Sequence, residues 1–454
     1  MISMQLAAAA IALDAHLHGD DALFTGVSTD TRSLTPGQLF FALRGPNFDA
    51  HERLSDAAAA GAVGAIVERE MPCPLPQLVT ADSRRALGVL ARDWRLRFEL
   101  PVLAVTGSAG KTTVKEMLAA IMRTRGPVLA THGNLNNDIG LPLTLFQLDA
   151  SHRAAVVEMG ANRAGDIALL AAIARPQIGL ITLCAPSHLE GFGSVEGVAR
   201  TKGELFAGLS ADGIAILNNE DEQAPLWREL TGARRTITFG MGGDVSARDV
   251  HAISEGMLFT LCAPSGEIEI TVQHRGMHNV RNALAAAAAA HAAGVSLVDI
   301  QRGLAGAAAV TGRLQFRAGV ASSRLIDDTY NANPASLVAA LAVLGAERGP
   351  RWLVLGDMRE LGPDAALYHR AVGAQAEAAG VSRLFTIGAL AEHAAECFSG
   401  AVMHSSERDE LLAALRSALA ASSSSPPTIL LKGSRAMALD QVANALAAGS
   451  APTC

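Results

Sequence analysis

The run Val102-Leu103-Ala104-Val105 leads into Thr106-Gly107-Ser108-Ala109-Gly110-Lys111-Thr112-Thr113, and a helical pattern follows at once. Val114, Met117, Leu118, Ile121 and Met122 recur at offsets of three, four, seven and eight residues, which puts them on one helix face. Strand, glycine-rich turn and amphipathic helix, in that order, make the setting of a phosphate-binding loop. Glycines let backbone N–H groups close around phosphate oxygens, and the helix N-terminus adds its dipole. In such a loop Lys111 reaches the outer phosphates and the Thr112 hydroxyl meets Mg²⁺, so ATP with Mg²⁺ is the expected ligand. Val105 occupies the first glycine position of the longer GxxxxGK[ST] pattern, so the spacing here is the shorter TGxxGKTT.

The flanking chain supports a parallel α/β sheet. Strand-like runs at 154–157, 178–183 and 214–217 are separated by helical stretches. Ahead of the loop, 40–43 reads as a strand, 54–60 as a helix and 61–67 as the approach to a second strand. Residues 245–275 turn to hairpins, with Ile268, Ile270 and Val272 alternating with polar residues after Pro264-Ser265-Gly266. A long alanine-rich helix begins near Asn279. After Gly312 a third alternation has candidate strands at 325–326, 352–355, 384–387 and 428–431. With 454 residues, half of them apolar, the chain exceeds one core, and three domains with boundaries near 85 and 313 are expected.

Several classes are disfavoured. A formal charge of −7 gives no general pull toward nucleic acid. Cys73, Cys184, Cys262, Cys397 and Cys454 are odd in number and lack CxxC spacing, which reads as a reduced cytoplasmic protein without disulfides or zinc. The start, Met1 to Leu13, lacks the pattern of a signal peptide and reads as a short amphipathic helix. Ala283 to Val298 contains His291 and Gly294 and is a poor membrane span. Ser422 to Ser425 with Pro426-Pro427 reads as a loop tip.

In parallel sheets, ligands gather beyond the carboxyl ends of the strands. Glu158 and His188 follow strand-like runs and are candidate Mg²⁺ ligands, although either alone is more often merely solvated. By position alone Lys202 is a solvent-facing helix lysine, and Asn279 and Asn282 are capping residues that could also read a purine edge. The polar runs 327–334 and 356–362 end strands, so both point toward the same cleft, although turn and cap chemistry would also account for them.

Taken together these motifs resemble the Mur ligases of bacterial peptidoglycan synthesis. The resemblance spans essentially the whole chain. It runs through TGSAGKTT (106–113), GNLNNDIGLP (133–142), EMGAN (158–162), HLEGFGS (188–194), TKGELF (201–206), GMHNVRNALAA (276–286), GRL (312–314), DDTYNANP (327–334), GDMRELG (356–362) and KGSR (432–435). It implies a UDP-sugar-peptide domain over 1–85, a central ATPase domain over 86–312 and a C-terminal Rossmann-like α/β domain over 313–454. It also implies that ATP phosphorylates a substrate carboxylate to an acyl phosphate, which an amine then attacks.

Position by position, the resemblance gives Lys111 the transferring phosphate. Thr112 and Glu158 take one Mg²⁺ and His188 helps hold a second. Lys202 matches a lysine carbamylated by CO₂, which requires the neutral amine and hence a lowered pKa. Thr106, Gly107, Ser108, Ala109, Gly110 and Thr113 complete the nucleotide loop. Asn279 and Asn282 fall near adenine, and Arg313 and Asp328 face the nucleotide from the C-terminal domain. Ser28, Thr29, Asp30, Arg32, Arg44, Asp49 and His51 resemble uridine-diphosphate contacts. Asn134, Asn136 and Asn137 meet the sugar-peptide, and Tyr330, Asn331 and Asp357 face the nucleotide or the incoming dipeptide.

Within the family, GDMRELG and DDTYNANP favour the branch that adds D-alanyl-D-alanine to UDP-N-acetylmuramoyl-tripeptide. No N-terminal glycine-rich dinucleotide loop and no DNPR-like motif is present. A monomer with no nucleic-acid or membrane partner is expected. The diamino-acid-adding Mur ligase, a folylpolyglutamate synthase and a non-ligase P-loop ATPase stand as alternatives.

Overall fold

The computed structural model describes residues 1–422 and 424–449; Ser423 and Cys454 lie outside the described residues. The strand Val102–Thr106 is buried throughout and lies inside a six-stranded, all-parallel sheet. Its order is Val128–Ala130, Ala154–Glu158, Val102–Thr106, Ile178–Ile181, Ile214–Asn218, Arg235–Phe239. In register, Val105 pairs with Glu158 and Thr106 with Ile181, so the phosphate loop and Glu158 leave the sheet at the same edge. Near-continuous apolar strands are what a sheet covered on both faces requires.

The helix Lys111–Arg123 buries Val114, Met117, Leu118, Ile121 and Met122, the stripe read from its spacing. It packs against the helices Met277–Ala292 and Leu297–Ala305. Residues Ala285 to Ala290 are all buried, and small side chains let these helices approach closely. A Cβ on Gly303 would stand 2.3 Å from the Ile121 Cα, so only glycine fits there. The hairpin region is a three-stranded antiparallel sheet, Ser246–Ile253, Gly256–Ala263 and Gly266–Val272.

The C-terminal sheet runs Gln315–Ala318, Arg324–Asp328, Thr428–Lys432, Arg351–Gly356, Arg383–Ile387, Ala401–Ser405. Its first pair is antiparallel and the others are parallel. The N-terminal sheet has five strands, from His16–His18 through Gln77–Val79, Gly64–Val67 and Leu39–Phe41 to Val27–Ser28. The chain is thus a three-domain α/β protein with mainly parallel sheets. The expected boundary near 85 falls inside the helix Ser83–Arg95, which buries Leu87, Leu90 and Ala91 in a core shared by the N-terminal and central sheets.

The N-terminal helix forms as Leu6–Leu13 after a strand at Met4–Gln5 that the apolar run concealed. The four described cysteines are unpaired. Among the described residues no helix is long and apolar enough to cross a membrane.

Candidate active site

A cavity of about 1690 Å³ opens between the carboxyl ends of the central and C-terminal sheets. The phosphate loop forms its floor. Gly107 (φ +147°) and Gly110 (φ +80°) hold conformations that side chains rarely adopt. A Cβ on Gly107 would lie 1.8 Å from Thr182 Oγ1, and one on Gly110 would lie 2.6 Å from Asn282 Oδ1. Lys111 Nζ donates to Gly107 O at 2.8 Å. Burial lowers the Lys111 pKa, and the Glu158 charge opposes the fall. Thr106 stays beneath the loop, fully buried, with Oγ1 donating to Met159 O.

Glu158 is 3% exposed, an unusual place for a carboxylate unless it is fully used. It accepts from Thr112 Oγ1 at 2.9 Å and from Asn136 Nδ2 at 2.8 Å, and its own N–H donates to Thr131 Oγ1 at 2.9 Å. Among the described residues no group of three or more His, Cys, Asp and Glu side chains gathers to hold a metal. A hydroxyl and one carboxylate beside a phosphate loop nevertheless fit Mg²⁺, which binds through few protein oxygens plus substrate phosphates.

The solvent-facing position that spacing suggests for Lys202 is overturned. The helix Val195–Ala207, capped by Ser194 Oγ accepting from Gly197 N at 3.0 Å, turns Lys202 inward. Lys202 is 2% exposed, and its Nζ lies 5.8 Å from the centre of the Phe192 ring. Burial, and after it the Lys111 charge, pulls its pKa down to about 7. His188 also lines the cleft, but its Nδ1 is paired with the Glu360 carboxylate. Burial lowers the His188 pKa, and Glu360 opposes the fall.

The C-terminal domain forms the facing wall. Arg313 Nη2 donates to Thr112 Oγ1 at 3.2 Å, and its guanidinium stacks 4.1 Å from the centre of the Tyr330 ring. Arg313 Nε is buried with no partner among the described residues. A buried donor short of an acceptor, beside the phosphate loop, fits a phosphate oxygen. Asp328 Oδ2 accepts from Lys432 Nζ at 2.5 Å, and Lys432 also donates to Asn331 O at 2.9 Å. Asn333 caps the helix Pro334–Gly345 through Oδ1 and donates from Nδ2 to Ser108 O at 3.3 Å.

Not every expected residue faces this cleft. Asn134, Asn136 and Asn137 line it, as do Asn279 and Asn282. Asn279 Nδ2 is tied back to Arg275 O at 2.9 Å, while Asn282 stands against Gly110. Asp357 is turned away, accepting from the N–H groups of Leu390 and Ala391 at 3.0 and 2.9 Å. Ser28, Thr29, Asp30, Arg32, Arg44, Asp49 and His51 lie apart from the cleft lining. Ser28 ends the strand Val27–Ser28, and the others follow that strand or its parallel neighbour Leu39–Phe41. There Arg32 Nη2 meets Asp30 at 2.7 Å, and the buried His51 ring meets Asp49 at 2.5 Å.

Four contacts were not read from the sequence. They involve Lys432, Glu360, Asn333 and Arg84, whose Nη2 donates to Asp138 Oδ1 at 2.7 Å. Lys432, Glu360 and Asn333 lie inside motifs quoted above, but nothing in a single strand end reveals which facing residue it will meet.

The Mur ligase middle domain matches residues 105–290, and the Mur ligase, glutamate ligase domain matches 312–435. The UDP-N-acetylmuramoyl-tripeptide--D-alanyl-D-alanine ligase of Escherichia coli (strain K12) is 43% identical over 450 residues, covering 98% of this chain and 99% of that protein. A crystal structure of MurF from Acinetobacter baumannii superposes with a TM-score of 0.94 at 35% identity, covering 98% of each chain. The MurF ligase of Thermotoga maritima in complex with ADP superposes with a TM-score of 0.81 at 27% identity, covering 92% of this chain and 96% of that one. The chain belongs to the Mur ligase family.

Proposed function

We propose that this enzyme joins D-alanyl-D-alanine to UDP-N-acetylmuramoyl-tripeptide with hydrolysis of ATP to ADP and phosphate. The observation that carries the reading is the two-walled grip on the phosphate loop. Lys111 lies in the loop itself, and Arg313 reaches Thr112 from the opposite domain. Two cations converging there neutralise the phosphoryl group as it passes from ATP to the tripeptide carboxylate. The resulting acyl phosphate presents a good leaving group. The free amine of the dipeptide attacks its carbonyl carbon, and the tetrahedral adduct collapses with loss of phosphate. Full-length relatives that carry this activity in their names support the choice of substrates.

Thr112, Glu158 and His188 are the residues that would hold Mg²⁺, which supplies charge neutralisation at the phosphates. Lys202 is proposed to be carbamylated. The neutral fraction of its buried amine can add CO₂ with loss of a proton, which turns an ammonium position into an anionic oxygen ligand. The domains divide as 1–85 for the UDP-sugar-peptide, 86–312 for ATP and 313–454 for closure over the nucleotide and dipeptide. Asp30, Arg32, Arg44 and their neighbours take the uridine diphosphate in this scheme. A reaction fed by ATP and a water-soluble UDP-sugar belongs in the cytoplasm, and a monomer suffices for it.

The test supplies ATP, Mg²⁺, UDP-N-acetylmuramoyl-tripeptide and D-alanyl-D-alanine, and follows phosphate release and product mass. Pentapeptide and phosphate should appear in equal amounts. Phosphate release without pentapeptide, or product from folate and glutamate instead, would sink the proposal.

A further inference from the structure

His188 and Glu360 meet across the junction of the central and C-terminal domains, and both hold left-handed backbone. His188 has φ +51° and Glu360 has φ +65°. Leu189 N donates to Glu360 O at 2.9 Å, while the Glu360 carboxylate closes on His188 Nδ1. The turn that carries Glu360 is pinned from below. Met358 and Leu361 are buried, Met358 N donates to His369 Nε2 at 2.9 Å, and Arg359 N donates to Ser434 Oγ at 2.8 Å.

Stability does not account for this contact. The Glu360 side chain is 56% exposed and that of His188 is 32% exposed, so the contact returns little. Left-handed backbone at two non-glycine residues costs at least as much. The consequence for the imidazole is larger. With Nδ1 committed to a carboxylate, a neutral ring keeps its proton on Nδ1 and its lone pair on Nε2. His188 is among the residues that line the cleft, and that lone pair is the ring's remaining acceptor.

Resting on the ligase reading above, we propose that Glu360 is a positioning residue that fixes the Nδ1-protonated tautomer of His188 when the C-terminal domain is docked. The acceptor on the central wall is then complete only once the facing wall has arrived. Glu360 touches no reacting atom in this scheme and acts through the ring.

Imidazole-¹⁵N-labelled protein tests this without any ligand, with the His188 signals assigned by His188→Gln. At about pH 8.5, where the ring is neutral, the two nitrogen shifts report the tautomer. Wild type should carry the proton on Nδ1. Glu360→Ala should shift it toward Nε2, and Glu360→Gln should retain it because the amide oxygen still accepts. Glu360 is half exposed, so neither variant disturbs the core. In turnover, Glu360→Ala should lower kcat about 10–100-fold with little change in KM for the UDP-tripeptide, and Glu360→Gln should recover most of it. An identical tautomer in wild type and Glu360→Ala, or an unchanged kcat in Glu360→Ala, overturns the proposal. Absence of pentapeptide from wild type, with the tautomer still dependent on Glu360, overturns the ligase reading and leaves the positioning role standing.

Discussion

The central and C-terminal walls of the cleft each bury one lysine almost completely, Lys202 at 2% exposure and Lys432 at 1%. Lys432 sits 2.5 Å from Asp328 and also donates to a backbone carbonyl, so its charge is matched where it lies. At Lys202 burial and the like charge of Lys111 lower the pKa and Cys184 opposes the fall, while the Phe192 ring lies 5.8 Å from Nζ. Burial lowers both pKa values, but at Lys432 the Asp328 charge and hydrogen bond oppose the fall, whereas Lys202 is brought to about 7 and is partly neutral at neutral pH. The difference lies in the partner, because a buried charge persists only where an opposite charge or hydrogen bonds replace water.

The largest effect expected from this contrast is on turnover. Lys202→Ala should lose activity by on the order of 10⁴-fold, and millimolar formate or acetate should restore part of it by supplying the missing anionic oxygens. Full activity in that variant would remove Lys202 from the mechanism. On the facing wall, Lys432→Met should mainly cost stability, about 3–5 kcal/mol, because it strands Asp328 without its partner. Urea unfolding reads this directly. A loss that Asp328→Asn in the same chain fails to reduce would show that the pair is not the source.

The smallest expected effect has the opposite sign. Burial pulls the folded Lys202 pKa down to about 7, against 10.5 for a free lysine side chain. Between those values the unfolded chain binds the proton and the folded chain does not, so wild-type stability rises with pH across that window. Below it both states are protonated and the whole burial cost is present. Lys202→Met should therefore be more stable than wild type by a few kcal/mol below about pH 7, in CO₂-free buffer, with the gain fading toward pH 10.5. A gain independent of pH would mean that Lys202 is not neutralised by burial.

Much of the scaffold was legible because its signals are local. The strand Val102–Thr106, the loop at 107–113 and the stripe on Lys111–Arg123 depend on residues within one turn or one strand of each other. Central strands read clearly for the same reason, since both of their faces are apolar. The edge strands Val128–Ala130, Gln315–Ala318 and Ala401–Ser405 did not, because they are short and partly exposed. Arg235–Phe239, with three polar residues among five, was missed on similar grounds.

The sequence by itself determined the α/β alternation, the phosphate loop and, through its ordered motifs, the family. Only the tertiary structure decided how the walls of the cleft meet. A strand end shows that a polar side chain is available. It does not show whether that side chain will face solvent, a backbone amide or a residue more than a hundred positions away. Asp357 turned to the amides of Leu390 and Ala391, Glu360 to His188, and Lys432 to Asp328. The phosphate loop needs only neighbouring backbone for its shape, whereas the charge state of Lys202 depends on how much water the whole fold excludes around it.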